Sequence, residues 1–216
     1  ASSMLGLALH QLGRIYLNAQ RFDQAQATLD EALWLWRRLG TQRRQEIGLS
    51  WSLLDRAQVA RFKGEPAQAF AYYQESITLF SASAFAIKGA FPLLYRGHQR
   101  LWMNDEPGAL ADFYQCLHET TKDGNKSWPK LVIGALAAIG EVARRRNNLV
   151  LAGQLFAVAE ANRACLAPLF SERADFDRVL APLATYLQNP QFASAWQEGA
   201  TLTVAEAVAL AQTAKE

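Results

Sequence analysis

The side chains able to do chemistry in this 216-residue chain are few and badly spaced for cooperation. His10, His98 and His118 lie far apart, and neither Cys116 nor Cys165 belongs to a Cys-x-x-Cys pair, so zinc ligation lacks its usual spacing. Gly124-Asn125-Lys126-Ser127 has the tail of a phosphate-binding loop, but the leading glycine is missing and no strand precedes it. It reads as a surface turn. There is no Gly-x-Ser-x-Gly elbow and no His-Glu-x-x-His pair. The carboxylates are scattered over polar helix faces, where solvation or i,i+4 pairing accounts for them. The expectation is a chain that is not an enzyme, with no catalytic residue, no metal site and no cofactor.

What does recur is packing. A small residue (Gly13, Ala57, Gly97, Gly140) returns four times at intervals of about 40 residues, a repeat length typical of stacked helix pairs. Each copy has a leucine before it (Leu9, Leu53, Leu93, Leu136) and an alanine after it (Ala25, Ala69, Ala109, Ala152). A large apolar residue then follows (Leu29, Tyr73, Phe113, Phe156), and after it a small one (Ala32, Ser76, Cys116, Ala159). Small residues at matched points let two helices approach closely, and the large residue fills the groove between them. One pair cannot bury its apolar face alone, so the array stabilises itself only by stacking.

These positions predict helix pairs over 3–18 and 22–39, 43–62 and 66–80, 85–103 and 107–120, and 129–146 and 149–165. Pro66 and Pro107 stand just inside second helices, where the missing N–H costs nothing. Pro92 requires either a helix start near it or a kink. Past residue 167 the pattern changes. Ser171 reads as an N-cap opening a helix to Leu187, and Asn189-Pro190 breaks it. A short helix carries Phe192, Ala195 and Trp196 to Gly199, and Thr203 with Glu206 forms a capping box for the last helix. The expected organisation is one domain: four pairs over about 1–40, 41–82, 83–122 and 127–166, then capping helices over 167–216.

Composition narrows function. Half of the residues are hydrophobic and 19% are charged, which suits a folded chain and not a disordered one. No apolar run approaches the roughly 18 residues of a membrane span. A net charge of +2 is too small a bias for direct nucleic-acid binding. Arg37, Arg38, Arg43 and Arg44, and again Arg144, Arg145 and Arg146, cluster near predicted helix ends, where cations complement the helix dipole. Cys116 falls on a small-residue packing position, so a buried free thiol is expected, and a reducing, cytoplasmic setting fits. The chain opens at Ala1 without a basic and apolar leader and enters a helix at once, which reads as a piece of a longer protein.

Leu9, Leu12, Gly13, Tyr16, Ala25, Leu29 and Ala32 resemble the tetratricopeptide repeat (TPR), in its longer variety. Copy two carries Arg56 and Ala60 at the usual leucine and tyrosine positions, and copy three carries Arg96 and Arg100. The closing segments 152–160, 171–176, 192–199 and 203–210 resemble the C-terminal end of large bacterial regulators of the LuxR, AfsR and adenylate-cyclase-linked type. The resemblance implies an all-α, right-handed TPR-like helical-hairpin solenoid of four helix pairs with a C-terminal helical cap. It also implies a sensing or scaffold arm, partnered within the same regulator by ATPase and output domains.

In that family the first helix of each pair lines the concave face. The resemblance therefore points to His10, Arg14, Gln58, Arg61, Phe62, His98, Trp102, Glu141 and Arg144 as binding residues. Leu17, Leu54, Leu94, Leu101 and Ala137 fall beside them, with Asn18 and Arg145 adjacent. Rings supply affinity in such a groove and polar groups set register. Trp34, Trp36 and Trp51 are expected in the packing. The implied function is non-catalytic signalling and transcription regulation in the bacterial cytoplasm, by binding a protein, a peptide or a small-molecule effector. No membrane contact is expected. The alternative is a structural self-assembly module with no ligand.

Overall fold

The computed structural model describes residues 2–40, 43–82, 86–122, 128–166 and 169–214. The Gly124–Ser127 turn lies outside these residues, as does Phe85, and the side chains of Arg43 and Arg44 are outside the description too. All regular structure among the described residues is helical: α-helices α1 to α12 and two 3-10 turns. The fold is all-α, made of adjacent helix pairs in the manner of a TPR-like solenoid. The chain divides into two compact units. One holds 1–99 with 169–171, and the other holds 100–168 with 172–216.

The first unit contains α1 (Ser2–Asn18), α2 (Phe22–Leu39), α3 (Arg43–Phe62), α4 (Pro66–Ala82), a 3-10 turn at Ala86–Gly89 and most of α5 (Ala90–Trp102). α1 packs on α2, α2 on α3, and α3 on α4. Gly13 is what lets α1 and α2 meet, because a Cβ there would lie 2.6 Å from Leu29 Cγ. Leu17, Ala25, Leu29 and Val59 are fully buried together, flanked by Tyr16, Phe22 and Phe62. Pro92 is resolved as a helix start: α5 begins at Ala90, so Pro92 sits in the first turn, where its N–H has no helical partner to lose.

The second unit contains the end of α5, α6 (Glu106–Thr121), α7 (Pro129–Arg145), α8 (Leu149–Ala161) and a 3-10 turn at Arg163–Cys165. It then has α9 (Phe170–Leu180, from Glu172 on), α10 (Leu183–Tyr186), α11 (Pro190–Gly199) and α12 (Val204–Thr213). α7 is buried continuously from Leu131 to Ala143. A Cβ on Gly140 would meet the Phe156 ring at 2.8 Å, the same small-against-large contact as Gly13 with Leu29. α8 and α11 come closer still. A Cβ on Gly199 would sit 2.5 Å from the Gln154 backbone, so only glycine fits.

The turns share one geometry. Gln20, Gly64, Asn104 and Asn147 all adopt left-handed backbone angles, with φ of 57°, 77°, 61° and 60°. Each occupies the same register relative to its repeat's small residue. In each turn the following N–H reaches back five residues: Arg21 to Tyr16, Glu65 to Ala60, Asp105 to Arg100 and Asn148 to Ala143. This hydrogen-bond pattern is a Schellman C-cap, which satisfies the last carbonyls of the first helix. Asp105 and Asn148 then cap the second helices by accepting from Gly108 N and Leu151 N.

Three expectations are corrected. Ser171 lies inside α9 and does not cap it, since the helix begins at Phe170. The helix drawn to Leu187 ends at Leu180, because Pro182 interrupts it and leaves the four-residue α10. Trp34 is not packed inside: it is 57% exposed, with the Arg38 guanidinium stacked 4.7 Å from its ring centre.

Candidate functional site

The first unit holds His10, Arg14, Gln58, Arg61, Phe62 and His98. Repeat spacing turns α1 and α3 so that His10 meets a carboxylate: its Nε2 lies 2.9 Å from Asp55 Oδ2, both residues being buried. His10 lines a cleft of about 390 Å³ between α1 and α3, together with Met4, Leu7, Arg14, Trp36 and Trp51 among others. Both tryptophans are held in place. Trp36 donates its Nε1–H to Ser52 Oγ at 3.1 Å, and Trp51 packs edge-on against Phe80 and Phe91 at 5.2 Å each. The result is a cleft with rigid aromatic walls, a cationic side chain and a histidine anchored from behind by Asp55. Such a cleft suits an apolar group beside an acidic one.

Gln58, Arg61 and Phe62 form a second cluster. Arg61 Nη2 donates to Gln58 Oε1 at 3.0 Å, and its guanidinium lies 4.6 Å from the Phe62 ring centre. Phe62 stacks on Phe22, and Phe170 closes the group at 4.7 Å from Phe62. Leu169–Ser171 belongs to this unit and lies on this cluster. Ser171 donates from N and Oγ to Asn18 Oδ1, and its carbonyl accepts from Gln58 Nε2 at 3.4 Å. A segment of the chain itself thus occupies the face that the family resemblance gives to a partner. Gln58 and Arg61 are buried beneath it, and His98 is buried too.

The second unit holds Trp102, Glu141 and Arg144. Arg178 stacks over Trp102 at 4.4 Å. Glu141 accepts from Arg144 Nε and Nη2 at 2.7 and 2.9 Å and from Arg145 Nε at 2.9 Å. Burial opposes its charge, but the two arginines outweigh burial and hold its carboxyl below the ordinary value. Its bond to Glu141 in turn raises Arg144, whose guanidinium also lies 5.0 Å from the Tyr186 ring centre. This is an intrahelical ion cluster, and its charge is balanced locally.

Several partners were invisible at the level of repeats. Asp55 was not singled out, because its pairing with His10 depends on how α1 and α3 are staggered. The arginines that depart from the repeat pattern also find partners. Arg56 donates to Asp30 at 2.7 Å, Arg96 to Gln74 at 2.6 Å, and Arg100 pairs with Asp112 at 3.1 Å. Cys116 is a fully buried free thiol whose pKa burial pushes up, and Cys165 is free and exposed. Among the described residues no three potential metal ligands converge, and no helix is long and apolar enough to cross a membrane.

Residues 5–82 match the tetratricopeptide repeat family. The match spans α1 to α4, so the likeness rests on the first two helix pairs. No curated protein and no solved structure matches the chain. Tetratricopeptide repeats in general mediate protein–protein interaction and are not catalytic.

Proposed function

We propose that this chain is a protein-interaction and effector-sensing arm of a bacterial cytoplasmic signalling or transcription regulator. In this reading it binds a protein or peptide segment on the faces of its first helices. The domain runs as four repeat pairs over about 1–40, 41–82, 83–122 and 127–166, and residues 167–216 cap it. The regulator context rests on the likeness of the closing segments to LuxR- and AfsR-type proteins. Binding would bias the attached ATPase and output domains between two states, as any ligand with unequal affinity for them must.

One observation carries the reading: the cleft between α1 and α3 combines two fixed indole walls with His10 and Arg14. Its volume is within the range of small-ligand and side-chain pockets. The matching ligand is a segment with a large apolar side chain beside a carboxylate. Of the other predicted contacts, Phe62, Trp102 and Arg144 would line further subsites, and the buried Gln58, Arg61, His98 and Glu141 would support them from beneath.

A peptide array in which aromatic or leucine residues alternate with acidic ones tests this, with the fluorescently labelled chain as probe. Selective capture by apolar–acidic peptides, lost in Arg14→Glu, is the expected result. Capture unaffected by Arg14→Glu would remove the cleft from the proposal.

A further inference from the structure

α1 carries an apolar stripe, Leu5, Ala8, Leu12, Ile15 and Ala19, at the spacing of one helix face. All five residues are exposed, with Leu5 at 52% and Ile15 at 63%. The repeat register shows what the equivalent stripe does elsewhere. In α3 it is Leu49, Ser52, Arg56, Val59 and Lys63, and it meets α2. Ser52 accepts from Trp36, Arg56 donates to Asp30, and Lys63 donates to Asp23 and Gln26. In α5 the register position of Leu12 is Arg96, which reaches Gln74 and Phe70 of α4. In α7 the stripe is Val132, Ala135, Ile139, Val142 and Arg146. Its first four members are buried, α7 packs on α6, and Arg146 donates to Glu106 of α6. In each case the stripe meets the second helix of the preceding pair.

We propose that the outer face of α1 is a stacking surface for the second helix of a further helix pair. The chemistry of that helix follows from the differences in the stripe. Arg56 and Lys63 of α3 call for acids or amides on α2, and Arg146 calls for an acid on α6. α1 has leucine and alanine at the matching positions, Leu12 and Ala19. An acid facing them would be desolvated with no cation to pair. The occupant is therefore an amphipathic helix with apolar or small residues at those contact positions. This surface is separate from the cleft proposed above and does not depend on it.

Two fluorescent synthetic peptides test this against the whole chain by anisotropy. One has the sequence of residues 22–39, and the other is the same peptide with Asp23→Ala, Gln26→Ala and Asp30→Leu. Saturable binding of the second, at least about tenfold tighter than the first, is expected. Ile15→Lys, at an exposed site, is expected to weaken it at least about tenfold while leaving the helical circular dichroism unchanged. No saturable binding, equal binding of both peptides, or binding indifferent to Ile15→Lys would overturn the proposal. So would a concentration-dependent dimer in sedimentation that Ile15→Lys abolishes, since the occupant would then be a second copy of the chain.

Discussion

Replacing Gly13 by alanine puts a methyl group where Leu29 already sits, 2.6 Å from its Cγ and 2.8 Å from its Cδ2. Leu29 is fully buried and cannot swing into solvent. Overpacking of this kind costs about 1–3 kcal/mol, and the helix-propensity gain of alanine returns about 1 kcal/mol, so a net loss of about 1 kcal/mol is expected. Leu29→Ala alone opens a cavity and costs about 2–5 kcal/mol. In the double variant the new methyl enters the vacated space, and the two losses no longer add. The coupling is expected at about 2 kcal/mol, read from urea unfolding of the four proteins with an unchanged m-value. Additivity to within about 0.5 kcal/mol would mean that the two residues do not touch, and would refute the repeat contact.

Three further outcomes follow from the same geometry. Gln20 holds the left-handed position that Gly64 fills in the next turn, so Gln20→Gly is expected to stabilise by about 0.5–1 kcal/mol, and a loss would argue against the shared turn. Asp30→Ala strands the buried Arg56 cation and should cost about 1–2 kcal/mol, moderated because Asp30 is half exposed, whereas Arg56→Met should change stability by less than about 1 kcal/mol. The folded-state pKa of Glu141 is depressed, so its stabilisation is present above the ordinary value of 4.5 and is lost as pH falls below it. Urea midpoints measured downward from about pH 5 should therefore fall less steeply in Glu141→Gln than in the parent, and parallel curves would remove the ion cluster from the account.

Helix positions were legible because their determinants are local. Pro66, Pro107 and Pro129 mark first turns, and Thr203 with Glu206 forms the capping box as read. Pro182 is an equally local signal and separates α9 from α10, although Leu180, Leu183 and Leu187 continue a helical apolar spacing across it. The shared left-handed turn was harder to see, because glutamine, glycine and asparagine occupy one structural position. Nothing local announces the partners of the buried polar groups. Asp30–Arg56, Gln74–Arg96 and His10–Asp55 depend on the stagger of neighbouring helices, and Gln58 meets Ser171 across 113 residues. Burial of Gln58 and Arg61 under the chain's own Phe170–Ser171 segment follows from tertiary packing alone.

The most direct test of the account asks whether the cleft between α1 and α3 is where a partner binds. Chain labelled with 5-fluorotryptophan resolves Trp36 and Trp51, which line the cleft, from Trp34, Trp102, Trp128 and Trp196 by fluorine NMR. Titration with the best apolar–acidic array peptide should move the Trp36 and Trp51 signals together, and Arg14→Glu should abolish the response. Saturable binding that leaves both signals in place would contradict it.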